Sequence, residues 1–546
     1  MAIQTISTLA VILLIVLILR VWKIGQRPKG YPPGPPTLPL IGNLHLMPKK
    51  KGHLQFQKWA EEYGPIYSLI LGSRTLIVLS SDEAVKDLLD KRSGIYSSRP
   101  DMYLGQDIAS GGFRMVLMEY GESWRIDRGI VHNSLNIKAS RTYVPYQDLE
   151  NKAMLLGFLE QPAEFFSHIR RYTNSISTQM IFGFRTLDIH DPQLEQLIHG
   201  FENWSELSGS QTAAFLDVFP ILRRLPDMFL PAKRHASKLH KKEYDLYVGH
   251  YLTAKRKLKE GKAKPCICSD IVRAQDELKF SDGIAGYLSG SLLEAGSDTS
   301  ASTLIGFIQA LLIFPEVSTL GQAEIDRVCG DRMPDLNDLP DLPYIRGCIK
   351  ESMRWMPTAI LGIPHATTRD DEYSGYHIPK GAGVVLNVWA IHNDPSRHPD
   401  PRRFDPSRWL HDSQTSAEAA NNRDASKRDQ FVFGAGRRLC QGMHIADRNL
   451  FLAISRLLWA FDFKRPIDQQ TGEEIIPDME DLTEGLLVCP NPFDADIKPR
   501  NAFKADAIRL EWSKMTELLD DELQWKTVPE GLVWRDYEPS ESKESA

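Results

Sequence analysis

The chain has 546 residues, of which 42% are hydrophobic and 25% are charged, and its formal net charge is −6. This composition is typical of a globular protein with a sizeable core, and the weak negative charge gives no indication of nucleic-acid binding, so we expect no nucleic-acid partner. Six cysteines spread over this length are too few for a disulfide framework and predict reduced thiols in a body that faces the cytosol.

The amino terminus is almost uninterrupted apolar sequence from Ile3 to Trp22. Twenty helical residues span about 30 Å, which is the thickness of the hydrocarbon layer of a membrane. No small-residue cleavage site follows, and Arg20, Lys23 and Arg27 come after the apolar core, which favours a retained anchor over a cleaved signal peptide. Residues 1–25 are therefore predicted to form one membrane anchor helix, with the basic side and the body in the cytosol.

The anchor is followed by a proline-rich hinge at 26–50, in which YPPGPPTLPLIGN starts at Tyr31. Because proline fixes φ and removes a donor, this stretch is predicted to be a stiff, extended strap. We assign 51–501 to one catalytic domain. Residues 502–546 are a carboxyl-terminal extension, with an amphipathic helix at Lys504–Leu523 and a disordered acidic end.

The predicted body is mainly α with a small β region. Ile66–Ser80 is predicted to form two strands that turn at Gly72-Ser73, and short strands return at Asp371–Pro379 and Val384–Val388. The cysteine pair Cys266 and Cys268 is expected in a solvated loop, and 411–429 in an exposed insertion. Apolar periodicity predicts helices at His53–Tyr63, Asp82–Lys91, Trp124–Leu135, Pro162–Phe182, Lys233–Gly261, Ser281–Phe314, Ser318–Val328, Leu342–Met356 and Gly442–Phe463.

One stretch, FGAGRRLCQG from Phe433 to Gly442, surrounds a cysteine with glycines. A dinucleotide-binding loop would need a glycine where Leu439 stands. A thiolate at the start of a helix is stabilised by backbone N–H groups, so Cys440 is suited to be an iron ligand, and the glycines let a flat cofactor approach. Arg438 is placed to meet an anionic group of that cofactor. The alternative is a buried structural cysteine.

The pattern Phe433-x-x-Gly436-x-Arg438-x-Cys440-x-Gly442 resembles the haem-binding signature of the cytochrome P450 monooxygenases at every fixed position. The resemblance implies the fold of that family, a triangular helical prism around haem b. It also implies that Cys440 is the axial ligand of the haem iron and that the other four residues contact the cofactor. Thiolate ligation favours cleavage of the O–O bond.

A second element is Glu351-Ser-Met-Arg354 on a predicted helix, where spacing i to i+3 puts acid and base on one face. By itself this pair is as consistent with a surface salt bridge. The resemblance implies that Arg403, in Pro401-Arg-Arg-Phe404, joins Glu351 and Arg354 in a buried network that braces the cysteine loop and retains haem.

The third element, LLEAGSDTSAST from Leu292 to Thr303, lies in the longest predicted helix. By resemblance to the distal helix of the family, Thr299 hydrogen-bonds oxygen at the iron and Asp298 helps to relay protons. The alternative is a threonine that bonds back to a helix carbonyl.

Further cofactor contacts follow from position within the family pattern. Trp124-Arg-Ile-Asp-Arg128 resembles the family's Trp-x-x-x-Arg, which places Trp124 and Arg128 on the haem propionates, and His365 in GIPHAT resembles another propionate contact. An ordinary helix face and a loop histidine are the alternatives.

The sequence has no complete dinucleotide fingerprint, no P-loop and no cysteine set for an iron–sulfur cluster, so electrons must come from a partner. The resemblance implies NADPH–cytochrome P450 reductase, with NADPH used only indirectly, at the endoplasmic reticulum membrane. Arg125 and Arg437 are candidates for the basic docking face, although a solvated rim accounts for them equally well.

The resemblance places the substrate pocket in four segments: Met102–Leu117, Leu288–Thr299, Ala359–Ile363 and Glu484–Leu487. Their apolar lining predicts a hydrophobic small molecule. A fatty acid held by its carboxylate is less favoured, although Arg114 keeps that possibility open.

The motifs PPGPP, GIPHATTRDDEYSGYHIPKG and NVWAIHNDP resemble filamentous-fungal microsomal enzymes of secondary metabolism, such as O-methylsterigmatocystin oxidoreductase-like enzymes. These enzymes oxidise polyketides, terpenoids and alkaloids, including mycotoxin precursors. The leading prediction is a monooxygenase that puts one atom of O₂ into a C–H or C=C bond and reduces the other to water. The alternatives are a reductase-independent haem-thiolate isomerase or dehydratase, which typically loses the acid–alcohol pair, and a non-catalytic haem sensor or carrier.

Overall fold

The computed structural model describes residues 22–532. The predicted anchor therefore lies almost entirely outside the described residues, as does the acidic end from 533 onward. Within 22–532 no single helix is long and apolar enough to cross a membrane. Asp282–Ile313 and Glu316–Cys329 pass such a test only as a pair, and a bend of 107° separates them.

The proline-rich strap is tied to the first strand of the body. Arg27 donates hydrogen bonds to the Gly34 carbonyl at 2.9 Å and to Ser68 Oγ at 2.9 Å. Asn43 donates to the Pro36 carbonyl and accepts from the Ile70 amide, at 2.9 and 2.8 Å. The hinge is therefore a packed segment, since its backbone groups find partners in the strap itself and in the strand.

Most of the described chain is helical. The α-helices are α1 Gly52–Tyr63, α2 Asp82–Val85, α3 Ser93–Tyr96, α4 Glu122–Leu135, α5 Ile137–Arg141, α6 Val144–Glu160, α7 Phe165–Phe182, α8 Pro192–Gly209, α9 Gln211–Val218, α10 Pro231–Lys259, α11 Ile267–Leu278, α12 Asp282–Ile313, α13 Glu316–Cys329, α14 Pro343–Trp355, α15 Val388–His392, α16 Ser416–Asn421, α17 Met443–Ala460 and α18 Ala502–Thr516. This confirms the prediction of a mainly α protein.

Three small sheets accompany the helices in the described part of the chain. Their strands are β1 Ile66–Leu71, β2 Arg74–Leu79, β3 His365–Ala366, β4 Asp371–Tyr373, β5 Tyr376–Ile378, β6 Gly383–Leu386, β7 Phe461–Lys464 and β8 Asp496–Pro499. The largest sheet has the order β1-β2-β6-β3, with β1 antiparallel to β2 and β2 parallel to β6. Because β6 lies between β2 and β3, this sheet brings the chain near residue 365 back to the early β hairpin.

Helix α12 is the centre of the core. Its first turn is capped by Ser281, whose Oγ accepts from the Ile284 amide. Side chains on all sides of the helix are buried, which is the pattern of a helix enclosed by others rather than of a surface helix. It packs against α7, α10, α14 and α17, and these contacts hold the distal motif over the cysteine loop.

Several predicted elements differ from the structure. The helix predicted to start at Asp82 continues from 86 to 91 as a π-helix, and the one predicted to end at Phe463 stops at Ala460, where β7 begins. The ranges predicted for individual helices do not include α6, α8, α9 and α11. In α6 the buried side chains are spread around the helix, so no single apolar face shows in the sequence.

The two regions predicted to be exposed are partly buried. Cys266 is the N-cap residue of α11 and Cys268 is only 1% exposed, so the solvated loop was wrong. No group of acidic, histidine or cysteine side chains in 22–532 is arranged to hold a metal ion. The insertion at 411–429 contains α16, and Lys350 pairs with Asp412 and Asp429 at 2.9 and 2.8 Å.

Candidate active site

A cavity of about 350 Å³ lies between helix α12 and the loop at 433–442. Each of the four predicted pocket segments contributes to it. The side chains that line it from these segments include Met115, Val116, Leu292, Ala295, Thr299, Ala359, Ile363, Leu486 and Leu487. Helices α7 and α8 were not among the predicted pocket segments. They add Ile176, Met180, Phe201 and Trp204 to the lining. The wall is mostly apolar, as predicted.

The cysteine loop holds its sulfur at the bottom of this cavity. The Cys440 amide donates to the Phe433 carbonyl at 2.9 Å, which closes the loop. Gly436 has φ +61°, and a Cβ there would lie 1.9 Å from the Leu89 carbonyl oxygen, so only glycine fits. Cys440 is exposed, but the surface it exposes faces the cavity.

The electrostatics of Cys440 combine opposing effects. Burial raises the pKa of the thiol, while backbone N–H groups of Gly442 and Met443 at the start of α17 and the Arg128 guanidinium lower it. Amides and a cation directed at one sulfur favour its thiolate. The net effect is a raised pKa, so the amides and Arg128 offset only part of the effect of burial, and a metal in the cavity would supply the remaining stabilisation of the thiolate.

Four arginines line the same cavity. Arg114 is described below with its acidic partners, and the other three are Arg99, Arg128 and Arg438. Every hydrogen bond that their guanidinium groups make within the described chain goes to a backbone carbonyl. The Nη1 of Arg438 is buried and has no hydrogen-bond partner among residues 22–532. Burial lowers the pKa of all three guanidinium groups. The pKa of Arg99 is lowered further by Arg438 and Arg128, and that of Arg438 by Arg128. An anionic group in the cavity would satisfy these donors.

Trp124 and His365, the other two predicted propionate contacts, lie beside these arginines. The Arg438 guanidinium lies 4.0 Å from the centre of the Trp124 ring. His365 Nδ1 donates to the Tyr96 carbonyl at 2.7 Å, which leaves Nε2 for the cavity. Burial, together with Arg99 and Arg438, lowers the pKa of His365 to about 3. Arg99, in Ser-Ser-Arg-Pro, was missed by the sequence analysis.

The structure separates the two residues of the distal acid–alcohol pair. Thr299 lines the cavity, and its hydroxyl donates to the Ala295 carbonyl at 2.8 Å, which is the back-bonded arrangement named as the alternative. Asp298 is not among the cavity-lining residues, and burial raises its pKa to about 6, against the effect of Arg170. Gly296 faces α7, where a Cβ would lie 2.4 Å from Ser177 Oγ.

Glu351 and Arg354 form a fully buried pair on α14, as predicted. Arg354 Nε and Nη2 donate to the two oxygens of Glu351 at 2.8 and 2.7 Å. Trp409 Nε1 and the Asp405 amide also donate to that carboxylate, each at 2.9 Å. The carboxylate therefore accepts four hydrogen bonds from three residues, one on α14 itself and two in the segment 405–409.

The expected place of Arg403 in this network is wrong. Its side chain is 57% exposed and pairs with Glu316 at 3.3 Å, while only its carbonyl accepts from Arg354. Arg408 takes the predicted position, with Nε 3.4 Å from Glu351 Oε1. Pro406-Ser-Arg408-Trp409 repeats the Pro-x-Arg-aromatic pattern of residues 401–404, and the 3₁₀ turn at Pro406–Trp409 packs on α14, which brings the second arginine inward.

The buried pair is joined to the cysteine loop by His392. Its Nδ1 donates to the Arg354 carbonyl at 3.1 Å, and its Nε2 accepts from the Phe431 amide at 2.9 Å. Burial holds the pKa of His392 well below its usual value, so the ring stays neutral and can accept. His392 lies in the quoted motif NVWAIHNDP but was not selected as a site residue.

A second buried charge group lies on the distal side of the cavity. Arg114 Nη2 donates to the two oxygens of Glu243 at 2.7 and 2.8 Å, and its Nη1 donates to Glu294. Tyr247 donates to the other Glu294 oxygen at 2.6 Å, and Tyr287 donates to Glu243 at 3.4 Å. We call Arg114, Glu243, Glu294, Tyr247 and Tyr287 the Arg114 cluster. Glu294, a lone acid in an apolar stretch, was missed.

Arg125 and Arg437, the candidates for a docking face, are both exposed. Arg437 donates to the Tyr120 hydroxyl, and its guanidinium lies 5.2 Å from the centre of that ring. Their exposure fits either of the two interpretations given for them.

Comparison with known proteins identifies the family. The Cytochrome P450 family model matches residues 32–494. Cytochrome P450 monooxygenase virE of Hypocrea virens is 62% identical over 526 residues, which cover 96% of each chain. Cytochrome P450 monooxygenase fogE of Aspergillus ruber is 55% identical over 98% of this chain and 99% of its own.

A solved zebrafish cytochrome P450 with abiraterone has the same fold. Its TM-score is 0.65 at 24% identity, and the match covers 82% of this chain and all of the zebrafish chain. The chain therefore belongs to the cytochrome P450 family and is, like its fungal relatives, a cytochrome P450 monooxygenase.

Proposed function

We propose that the chain is a haem-thiolate monooxygenase that oxidises a hydrophobic small molecule with O₂ and electrons from NADPH. The observation that carries this proposal is the position of Cys440, whose sulfur faces an apolar cavity directly below the distal helix α12. The family implies haem, and the residues around the cavity support haem b as the group that they hold.

The donor set fits a flat cofactor with a metal and two carboxylates. Cys440 is the ligand for the iron, in a loop where Gly436 allows close approach and where Phe433 and Gly442 line the cavity. The unpartnered Nη1 of Arg438, with Arg128, Arg99, His365 and Trp124 around it, is suited to the propionates. When bound, haem supplies activation of O₂, with one atom inserted into substrate and the other released as water.

Thr299 and Asp298 are proposed to supply the protons for this reaction. The Thr299 hydroxyl faces the cavity and can exchange its bond to the Ala295 carbonyl for one to a cavity water. Asp298, with its pKa raised to about 6, can release and regain a proton near neutral pH. Because Asp298 lies outside the cavity lining, this role requires a water or a side-chain rotation between the two groups.

The role of Thr299 can be tested by substitution. Thr299→Ala is expected to lower the yield of product per NADPH roughly tenfold or more, since loss of a positioned proton donor typically costs that much. Thr299→Ser keeps the hydroxyl and should retain most of the coupling. Measurement of product against NADPH consumption with the reductase checks this, and equal coupling in the alanine variant and the wild type would refute the role.

We further propose that NADPH–cytochrome P450 reductase supplies the electrons at the endoplasmic reticulum membrane, with 1–25 as the single anchor helix, 26–50 as the hinge, 51–501 as the cytosolic catalytic domain and 502–546 as the extension. Exposed apolar side chains support contact with a membrane, among them Trp22, Met228 and Phe229. The turn at Gly72-Ser73 contacts both the strap and the segment that leads to Met228 and Phe229.

The apolar lining and the relatives support a proposal for the substrate class. Their names show fungal cytochrome P450 monooxygenases, and the length match is nearly complete. We propose a fungal secondary-metabolite intermediate, that is, a polyketide, terpenoid or alkaloid, as the molecule that is hydroxylated, epoxidised or otherwise oxidised.

The decisive experiment is expression with a reductase in a host that lacks the pathway, with candidate fungal scaffolds supplied and ¹⁸O₂ as the oxygen source. Incorporation of one labelled atom with NADPH consumption is expected. A product formed without NADPH would favour the isomerase or dehydratase, and haem binding without any product would favour the sensor or carrier. A ferrous carbonyl spectrum that lacks the thiolate signature would remove the basis of the proposal.

A further inference from the structure

Only two of the five members of the Arg114 cluster line the cavity. Arg114 and Glu294 line the cavity, whereas Glu243 lies behind Arg114 and is not part of the lining. The neighbouring wall consists of Phe201, Trp204 and Leu292, with Ser291 next to them. Glu294 is therefore an acidic residue on a stretch of the cavity wall that is otherwise mostly apolar.

The hydrogen-bonding capacity of Arg114 is already used. Its Nε donates to Ser110 Oγ at 2.9 Å, and its terminal nitrogens donate to Glu243 and Glu294. One face of the guanidinium lies 4.0 Å from the centre of the Trp204 ring. The side chain is 1% exposed, so a ligand carboxylate cannot reach it without breaking a buried ion pair.

The charge of the cluster gives no net attraction to an anionic ligand, because it is negative with both acids ionised and neutral with one protonated. One guanidinium faces two carboxylates, so the cluster is net negative when both acids are ionised. Burial, together with the nearby Glu294, raises the pKa of Glu243, although Arg114 acts against this. Burial alone would lower the pKa of Arg114, but the two carboxylates raise it above its usual value, so the arginine stays charged. The Arg114 guanidinium is therefore paired within the protein and is not available to bind the carboxylate of a fatty acid.

Glu294 keeps room for another hydrogen-bond donor. One of its oxygens accepts from Tyr247 and the other from Arg114. Each carboxylate oxygen can accept two hydrogen bonds, so each has a lone pair left for a group in the cavity. The acid is held in place on both sides, and its position does not depend on the ligand.

We propose that Glu294 is the polar recognition point for the substrate, that it accepts a hydrogen bond from a neutral hydroxyl or phenol group, and that it rejects carboxylates. This inference rests on the proposed function and narrows its substrate class to apolar molecules with a hydrogen-bond donor. Glu294 precedes Thr299 by five residues on α12, which is about 7.5 Å along a helix axis. The donor group is thus held at a fixed distance from the place where Thr299 acts.

The test compares three probes with the same alkyl chain. We would measure the binding of 4-nonylphenol, nonylbenzene and 4-nonylbenzoic acid to the detergent-solubilised, full-length holoprotein by isothermal titration calorimetry. The phenol is expected to bind roughly tenfold or more tightly than the other two, because a carboxylate built to accept a donor is left unpaired or repelled without one. Equal binding of phenol and nonylbenzene, or preferred binding of the benzoate, would overturn the proposal.

Two matched variants then locate the effect. Glu294→Gln and Glu243→Gln each remove one negative charge from the same guanidinium, but only Glu294 lines the cavity. Glu294→Gln should reduce the preference for phenol over nonylbenzene at least fivefold, whereas Glu243→Gln should leave that preference within about twofold. The same loss in both variants would show a general charge effect and would contradict a direct contact. If a variant does not fold, the wild-type probe series still decides the matter.

This experiment separates its own failure from failure of the proposed function. Calorimetry records binding whether or not the iron reacts, and the ferrous carbonyl spectrum of the same sample records the thiolate ligand. A normal spectrum with no preference for phenol would reject only the role of Glu294. An abnormal spectrum with a clear preference would reject the monooxygenase and leave the binding site in place.

Discussion

At the scale of single residues, the cavity is divided between two arginine environments with opposite consequences. Arg438 has a buried Nη1 without a partner and carbonyl partners elsewhere, so its charge is available to a ligand. Arg114 has two carboxylate partners and an aromatic neighbour, so its charge is already paired within the protein. An arginine side chain is thus suited to bind a cofactor at position 438 and to stabilise the fold at position 114, because its neighbours differ.

Arg438 should control retention of haem. In Arg438→Ala the propionate partner is lost, and we expect the ratio of haem to protein in the purified enzyme to fall at least severalfold. Arg438→Lys restores the charge without the planar fork and should give an intermediate ratio. Arg437→Ala, one residue away and exposed, is the control and should keep full haem. Full haem occupancy in Arg438→Ala would refute the assignment.

The choice between Arg403 and Arg408 can be decided by stability. Arg408→Ala removes a half-buried ion-pair partner of the buried Glu351 and is expected to lower the free energy of unfolding by about 1–3 kcal/mol. Arg403→Ala alters an exposed pair and should change it by less than about 0.5 kcal/mol. Thermal loss of the ferrous carbonyl signal compares the two, and a larger effect at Arg403 would restore the original expectation.

At the scale of elements, the carboxyl-terminal extension packs on the helical core. Lys152 on α6 pairs with Glu511 on α18 at 3.0 Å. Beyond α18, Trp525 is 7% exposed, and its Nε1 donates to Gln179 Oε1 on α7 at 2.7 Å. Arg185 donates to the Leu523 carbonyl at 2.6 Å. The extension lies past residue 494, where the family match ends, yet it covers the outer side of α6 and α7.

Trp525 should contribute to stability and not to haem chemistry. Trp525→Ala removes a buried aromatic side chain and is expected to cost about 3–5 kcal/mol of unfolding free energy. Trp525→Phe retains most of the packing and should cost about 1 kcal/mol for the lost hydrogen bond to Gln179. Thermal denaturation measures both, while the carbonyl spectrum of the folded fraction should stay unchanged. A stable alanine variant would show that the extension is dispensable.

At the scale of the whole molecule, two sets of buried groups give opposite responses to pH. Burial lowers the pKa of His168 and His250 to about 4. As the pH falls below about 6.5, these histidines are protonated first in the unfolded chain, and the folded chain loses stability. Burial raises the pKa of Asp127 and Asp447 to about 6, so the folded chain gains protons first and stability is gained as the pH falls from about 6 to 4.

Single substitutions should separate these two responses. His250→Asn removes a histidine that binds protons more readily in the unfolded chain. Between pH 7 and pH 5 the variant should therefore lose about 2 kcal/mol less unfolding free energy than the wild type. Asp127→Asn removes a carboxyl whose protonation stabilises the folded chain. Below pH 6 the unfolding free energy of the variant should therefore fall more steeply than that of the wild type. Denaturant titrations at pH 5, 6 and 7 check both signs, and two shifts in the same direction would contradict the assignment.

The sequence alone determined the parts of this protein that depend on neighbouring residues. The loop from Phe433 to Gly442 could be interpreted without a structure because its glycines, its cysteine and the helix start are contiguous. Helices with one apolar face, such as α4 and α14, were also found within two residues of their observed bounds. The start of α8 could have been found as well, since Asp191 caps it and Pro192 is its first residue.

Only the tertiary structure decided what depends on distant partners. Two Pro-x-Arg-aromatic runs have the same local pattern, and burial against Glu351 selected Arg408 over Arg403. Likewise, the charge of Arg114 could not be judged until Glu243 and Glu294, 129 and 180 residues away, were placed beside it. The physical reason is that the effect of a buried charge depends on its partners and its distance from water, and neither is encoded in local spacing.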